Sequence, residues 1–207
     1  LDELESLSII TNRKNLTQDI CFRFNPSTPG KTHKHISTGG REHKFGLNEK
    51  EIHSAISLVK NMKSLNLKGL SLHIGSQLTS LKETISALRK LLEISKLIPN
   101  LSYLNVGGGL GIKYTQNQND LILLDDYMNS INKLLLEFNQ KNVEIIFEPG
   151  RFLSGNCGIL ITKIIRKKRN FRIVDAGMND FMRPSLYGAY HEIFPFLKRD
   201  ESEIVTV

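Results

Sequence analysis

As far as Arg151, apolar positions follow two alternating periods. Short apolar runs at residues 20–24, 67–73, 103–106 and 143–147 read as strands. Between them the spacing turns helical. Asn48 with Glu51, and Ser80 with Glu83, stand three residues apart and mark two helix starts as capping boxes. The first helix presents Ile52, Ala55, Ile56, Val59 and Met62 on one face, and the second Ile85, Leu88, Leu92, Ser95 and Ile98 before Pro99 stops it. A third runs from about Leu121, with Leu124, Tyr127, Met128, Ile131, Leu134, Leu135 and Phe138 inward. A loop rich in Gly, Pro, His and Thr, ending at Gly46, separates the first strand from the first helix. Four strands alternating with three helices predict a parallel sheet with right-handed crossovers.

After Arg151 the rhythm changes. Residues 159–165 and 171–175 read as strands joined by a basic turn, too close together for a helix between them. That spacing predicts an antiparallel pair and a domain boundary near residue 153, dividing the chain into 1–152 and 153–207. A complete (β/α)₈ barrel takes ~250 residues, so four strands amount to half of one. The expected fold class is α/β: the C-terminal half of a (β/α)₈ (TIM) barrel, followed by the start of an all-β domain.

Composition supports a packed domain. Of 207 residues, 40% are apolar and 24% charged, which argues against intrinsic disorder. No apolar run approaches the ~18 residues of a membrane span. The opening Leu1-Asp2-Glu3-Leu4-Glu5 has neither the basic nor the apolar region of a signal peptide and reads as the interior of a longer protein. Two cysteines, Cys21 and Cys157, make no disulfide framework, and no His or Cys spacing resembles a metal site, so a reducing cytoplasm is expected. The net charge is +7, with its densest cluster at Lys163, Arg166, Lys167, Lys168 and Arg169. Without an aromatic ladder or a helix-turn-helix pattern, this cluster reads as a solvated basic turn and not as a nucleic-acid surface.

Candidate chemistry gathers at three strand ends: His73-Ile74-Gly75-Ser76, then Gly107-Gly108-Gly109-Leu110-Gly111, then Glu148-Pro149-Gly150-Arg151. In an α/β barrel all three open on the C-terminal face, where sites are built. Glycines let backbone N–H groups approach a phosphate closely. The run is no dinucleotide fingerprint, since an opening at Gly107 requires glycine where Ile112 stands, and no Walker Lys-Ser/Thr follows it. Each signal also has a plain structural reading, as a hydrogen-bonded histidine, a flexible loop, a turn or a rim ion pair. A further cluster runs from Asp175 through Asp180 to Arg183-Pro184-Ser185-Leu186-Tyr187. Arg183 suits bidentate carboxylate recognition and Tyr187 adds a directional donor, while a surface loop with an exposed arginine is the bland alternative.

Together these motifs resemble the diaminopimelate decarboxylases, pyridoxal-phosphate (PLP) enzymes with an alanine-racemase-like barrel. The matching stretches are Asn25-Pro26, Lys31-Thr32-His33, Ile36-Ser37-Thr38-Gly39, Lys44-Phe45-Gly46, His73-Ile74-Gly75-Ser76-Gln77, the glycine run, Glu148-Pro149-Gly150-Arg151, and Asp175 to Glu192. The three strand-end motifs are similar to the wider group that includes ornithine and arginine decarboxylases. Val174-Asp175-Ala176-Gly177-Met178-Asn179-Asp180, with Arg183 and Tyr187, is similar to the diaminopimelate branch. The resemblance implies decarboxylation of meso-diaminopimelate to lysine and CO₂, the last step of lysine biosynthesis. It implies PLP as cofactor, with His73 stacked on the ring, Ser76, Gly109 and the backbone around Gly150 and Arg151 at the phosphate, Pro149 among the cofactor-binding residues, and Glu148 pairing with the pyridine nitrogen. Arg151, Arg183 and Tyr187 are implied to bind the amino-acid substrate.

The resemblance also carries departures. The family's Schiff-base lysine sits in a Tyr-x-x-Lys motif that this sequence lacks, and neither Cys21 nor Cys157 has the context of the family's interface cysteine. No catalytic residue is therefore identified. The chain is expected to be an internal fragment, inactive alone and completed as a full-length homodimer or by a complementary polypeptide. Two alternatives remain open: a decarboxylase of another basic amino acid or carboxylated polyamine, and a non-catalytic PLP-binding homologue or partner subunit.

Overall fold

The computed structural model describes residues 1–27, 45–115, 117–118, 121–140 and 142–197. The motif positions Lys31-Thr32-His33, Ile36-Ser37-Thr38-Gly39 and Lys44 lie outside the described residues. Among those described, four parallel strands form one sheet in the order β1 (Gln18–Phe24), β2 (Leu65–Leu72), β3 (Tyr103–Asn105) and β4 (Glu144–Ile146). Between them run α2 (Glu49–Val59), α3 (Leu81–Ser95) and α4 (Leu124–Glu137), giving the predicted α/β order. A helix that the apolar pattern does not mark, α1 (Asp2–Arg13), precedes them. Its one buried residue is Thr11, whose hydroxyl donates to Ser64 Oγ at 2.8 Å. So thin a buried face leaves little periodic signal to read.

The helix starts are where the side chains place them. Asn48 accepts from the Lys50 and Glu51 N–H groups while Glu51 accepts from the Asn48 N–H, a reciprocal capping box. Ser80 caps α3 by accepting from the Lys82 N–H at 3.2 Å. The inward residues of α3 and α4 meet the sheet as expected, with Leu88, Leu92, Tyr127, Ile131 and Leu134 buried. Leu124, expected inward, is the first residue of α4 and is exposed.

Strand alternation divides the sheet into two faces. Phe22, Phe24, Leu70, Leu72 and Leu104 pack beneath the helices in one core. The opposite face carries two rows set by the register: Cys21, Gly69, Tyr103 and Glu144, then Arg23, Ser71, Asn105 and Ile146. That face is predominantly polar, and it leads directly to the three strand ends.

The chain divides into two compact units. The first comprises Leu1–Ile112 and Asp120–Leu153, and the second Lys113–Asn119 and Ser154–Val207. A five-residue helix, α5 (Gly150–Ser154), stands at the predicted Pro-Gly turn. In the second unit, β5 (Ile164–Lys168) and β6 (Phe171–Val174) pair antiparallel. The two-residue turn Arg169-Asn170 sets their register, with Arg169 at φ 53° and Lys168 opposite Phe171. Arg166, Lys167 and Lys168, expected in a basic turn, are therefore strand residues, and residues 159–163 stand outside the ladder. The short helix α6 (Arg183–Tyr187) follows, closed by Gly188 in the left-handed region. Among the described residues, no helix is long and apolar enough to cross a membrane.

Candidate functional site

The ends of β2, β3 and β4 lie side by side, so the sheet itself brings His73, the glycine run and Glu148 together. Gly108 is wedged between the other two. Its N–H donates to His73 Nδ1 at 3.3 Å, and a Cβ there would lie 1.9 Å from the Glu148 carbonyl oxygen. Gly109, at φ +100°, backs onto Gly75, whose carbonyl oxygen would be 2.2 Å from an added Cβ. Sequence reasoning assigns these glycines to ligand approach. The structure adds a second cause, since backbone from neighbouring strand ends occupies the space that side chains would need.

His73 accepts a backbone hydrogen bond at Nδ1, which fits a neutral ring carrying its proton on Nε2. Burial, then the Arg23 guanidinium, hold its pKa below the ordinary histidine value, and the Glu148 carboxylate pulls the other way. The Glu148 side chain is exposed, and its Oε1 accepts from Asn105 Nδ2 at 2.8 Å. Asn105 also accepts the Gly107 N–H at 2.8 Å, so one amide joins the carboxylate to the start of the glycine run.

Gln77 makes a second clamp. Its Nε2 donates to the Ile112 carbonyl at 2.7 Å, and its Oε1 accepts from the Ile112 N–H at 3.2 Å and from Arg151 Nη1 at 3.3 Å. Arg151 is thereby tied to the far end of the glycine run and makes no rim ion pair with Glu148 among the described residues. Asn105 is missing from the predicted site because it is one polar residue in a short strand, and its partner Glu148 stands in a different strand end. Gln77 could have been found from its place directly after His73-Ile74-Gly75-Ser76.

Arg183 and Tyr187 lie in the second unit, one helical turn apart on α6, with the Arg183 guanidinium carbon 5.8 Å from the Tyr187 ring centre. Arg183 donates from Nε to His191 Nε2 and from Nη2 to the Tyr114 hydroxyl, both at 3.4 Å. The His191 ring is set edge-on against Tyr114 and Phe181, at 5.2 and 4.6 Å between centres. Neither Tyr114 nor His191 is among the predicted site residues.

The strand ends fit a phosphorylated pyridine. Among the described residues, the Gly109 N–H and the Ser76 hydroxyl have no hydrogen-bond partner, and Gly109 packs on Gly75, next to Ser76. Two open donors on adjacent strand ends, with the Arg151 cation beside them, suit a phosphate. A carboxylate held by a neutral amide suits a protonated ring nitrogen. Among the described residues no group of three His, Cys, Asp or Glu could hold a metal ion.

Known proteins are similar to this chain in sequence and fold. Diaminopimelate decarboxylase from Aquifex aeolicus is 36% identical over 98% of this chain and 49% of its own length. The Vibrio cholerae enzyme is 36% identical over 95% of this chain and 48% of its own. The crystal structure of Helicobacter pylori diaminopimelate decarboxylase complexed with L-lysine matches with a TM-score of 0.88 at 39% identity, covering 96% of this chain and 50% of that one. The chain thus spans about half the length of the curated relatives it matches. The pyridoxal binding domain of the pyridoxal-dependent decarboxylases matches residues 1–155. The chain belongs to the pyridoxal-dependent decarboxylase family.

Proposed function

We propose that this chain is the cofactor-holding and substrate-anchoring half of a decarboxylase that converts meso-diaminopimelate to L-lysine and CO₂. The observation that carries the reading is the convergence of His73, the glycine run and Glu148 on three adjacent strand ends. The likeness of the whole chain to diaminopimelate decarboxylases supports the choice of substrate. In this reading residues 1–152 are the barrel part and residues 153–207 begin the β domain.

Residues at the strand ends would hold pyridoxal phosphate. The Gly109 N–H, Ser76 Oγ and the Pro149-Gly150-Arg151 turn would hold its phosphate, His73 would stack on its ring, and Glu148 would pair with its ring nitrogen. When bound, the cofactor supplies an electron sink for the pair left behind by departing CO₂. The Glu148 carboxylate would keep the ring nitrogen protonated, the state in which that sink is deepest. His73 is suited to stacking because its low pKa leaves it neutral beside a cationic ring. Arg151 and Arg183 offer forked cations to substrate carboxylates, and Tyr187 a directional donor. The full-length protein is assigned as a cytoplasmic homodimer.

Diaminopimelate differs from lysine by one carboxylate on the distal carbon, so selection requires groups whose charge goes unpaired when that carboxylate is missing. A full-length decarboxylase carrying these 207 residues is expected to release CO₂ from meso-diaminopimelate and little from lysine or ornithine. Arg183→Ala should reduce that preference by up to roughly 3–5 kcal/mol, the scale for breaking a buried charge pair. If the variant loses stability while its preference is unchanged, Arg183 is structural. Better turnover of ornithine or lysine than of diaminopimelate would overturn the substrate assignment.

A further inference from the structure

We infer that Asn105 is a positioning residue for the Glu148 carboxylate, acting on the reaction through Glu148 and not by touching substrate. The inference rests on the reading of Glu148 as the partner of the cofactor's ring nitrogen. Glu148 stands two residues past the end of β4, its side chain is exposed, and a free glutamate loses rotamer freedom when it settles. The Asn105 amide removes that freedom at one oxygen, donating from Nδ2 to Oε1 at 2.8 Å. Asn105 is itself fixed, because its Oδ1 accepts the Gly107 N–H at 2.8 Å and its backbone lies in β3, opposite Ser71 and Ile146. Glu148 Oε2 has no hydrogen bond among the described residues and is left to face a ligand. A neutral donor is well matched to this role, because it orients the carboxylate without cancelling its charge, which an arginine or lysine there would do.

Asn105 also closes the glycine-run turn, so its two roles must be separated. Asn105→Asp separates them: a carboxylate still accepts the Gly107 N–H but has no N–H to give Glu148, and it sets two anions face to face. In a full-length decarboxylase carrying this chain, N105D is expected to lower kcat on the order of tenfold or more, the equivalent of a lost charge-assisted hydrogen bond. KM should stay within roughly twofold, since no substrate contact is removed. In an E148Q background the introduced carboxamide can donate to the introduced carboxylate, and N105D should then cost nothing beyond E148Q alone. Thermal unfolding without cofactor gives an independent reading. N105D should lower the midpoint of the parent, and N105D with E148Q should restore it.

An unchanged kcat and midpoint in N105D would overturn the inference. So would an equal loss in both backgrounds, because Asn105 would then be acting without Glu148. If E148Q leaves kcat unchanged, the cofactor reading of Glu148 fails instead, and the unfolding cycle still decides whether Asn105 holds the carboxylate.

Discussion

The two units are built from similar apolar stock and use it differently. In the first, Leu70, Leu88, Leu91, Leu92 and Leu104 are fully buried between sheet and helices. In the second, no described residue from 154 to 197 is buried, and Ile159 and Phe196 are 88% and 91% exposed. Each crossover helix in a parallel sheet returns over the strands it joins, so every βα unit adds both strand and cover. A hairpin adds strand without cover, and these residues span about half the length of the relatives matched, so the exposure in the second unit is that of the chain taken alone. Side-chain fixing differs in the same way within each unit: hydrogen bonds between adjacent strand ends lock His73, Asn105 and Glu148 in the first, whereas two 3.4 Å contacts and ring packing hold Arg183 in the second.

The largest test of this contrast is truncation of apolar side chains. Leu104→Ala opens a cavity beside fully buried neighbours and should cost about 2–5 kcal/mol by urea unfolding. Ile161→Ala, at a residue 72% exposed, should change stability by no more than about 0.5 kcal/mol. Equal losses would mean that the second unit has a core of its own.

Smaller effects are expected at the glycines. A Cβ at Gly108 meets the Glu148 carbonyl oxygen, which is backbone held in the Glu148 N–H to Gly107 carbonyl bond and cannot rotate away. Gly108→Ala should therefore cost about 1–3 kcal/mol, the range for overpacking, and weaken the strand-end site with it. At Gly158 nothing lies within 4 Å, so Gly158→Ala should be neutral or stabilise by about 0.4–1 kcal/mol through the unfolded chain. Differential scanning fluorimetry of the two variants separates the outcomes by sign.

The same contrast governs what was legible in the sequence. The βα units were readable because caps and apolar periods coincide: Asn48 with Glu51 opens α2, and Ile52, Ala55, Ile56 and Val59 bury the face that periodicity marks. Residues 20–24 and 67–73 fall within two residues of the ends of β1 and β2. Where packing is thin the pattern misleads. The isoleucine-rich stretch 159–165 has the composition of a strand, yet the Arg169-Asn170 turn fixes the ladder several residues later. The strand-end motifs were visible as punctuation. Asn105, Tyr114 and His191 were not, because each matters through a partner on another element, and no local spacing encodes that.

The smallest effect is electrostatic and is read from the pH dependence of stability. In the first unit, His73 has a depressed pKa, chiefly from burial. The folded chain then binds this proton less readily than the unfolded chain, so stability is complete above the ordinary histidine value of about 6.5 and falls as pH drops toward the folded value. In the second, Asp175 has a depressed pKa because its carboxylate accepts the Lys163 N–H at 2.8 Å and the Thr162 hydroxyl at 2.7 Å. It too loses stability on acidification, but only below the ordinary aspartate value of about 3.9. Thermal midpoints measured from neutral pH downward should therefore decline in two stages. His73→Gln cannot titrate and still offers an acceptor to the Gly108 N–H, so it should flatten the stage just below about pH 6.5 and leave the lower one. Asp175→Asn should leave the upper stage and reduce the lower one only in part, because that carboxylate is fully solvated and Glu137, held low by its Arg89 hydrogen bond, titrates in acid too. If His73→Gln leaves the upper stage intact, the ring is not held neutral by its surroundings, and its suitability for stacking on a cationic cofactor falls with it.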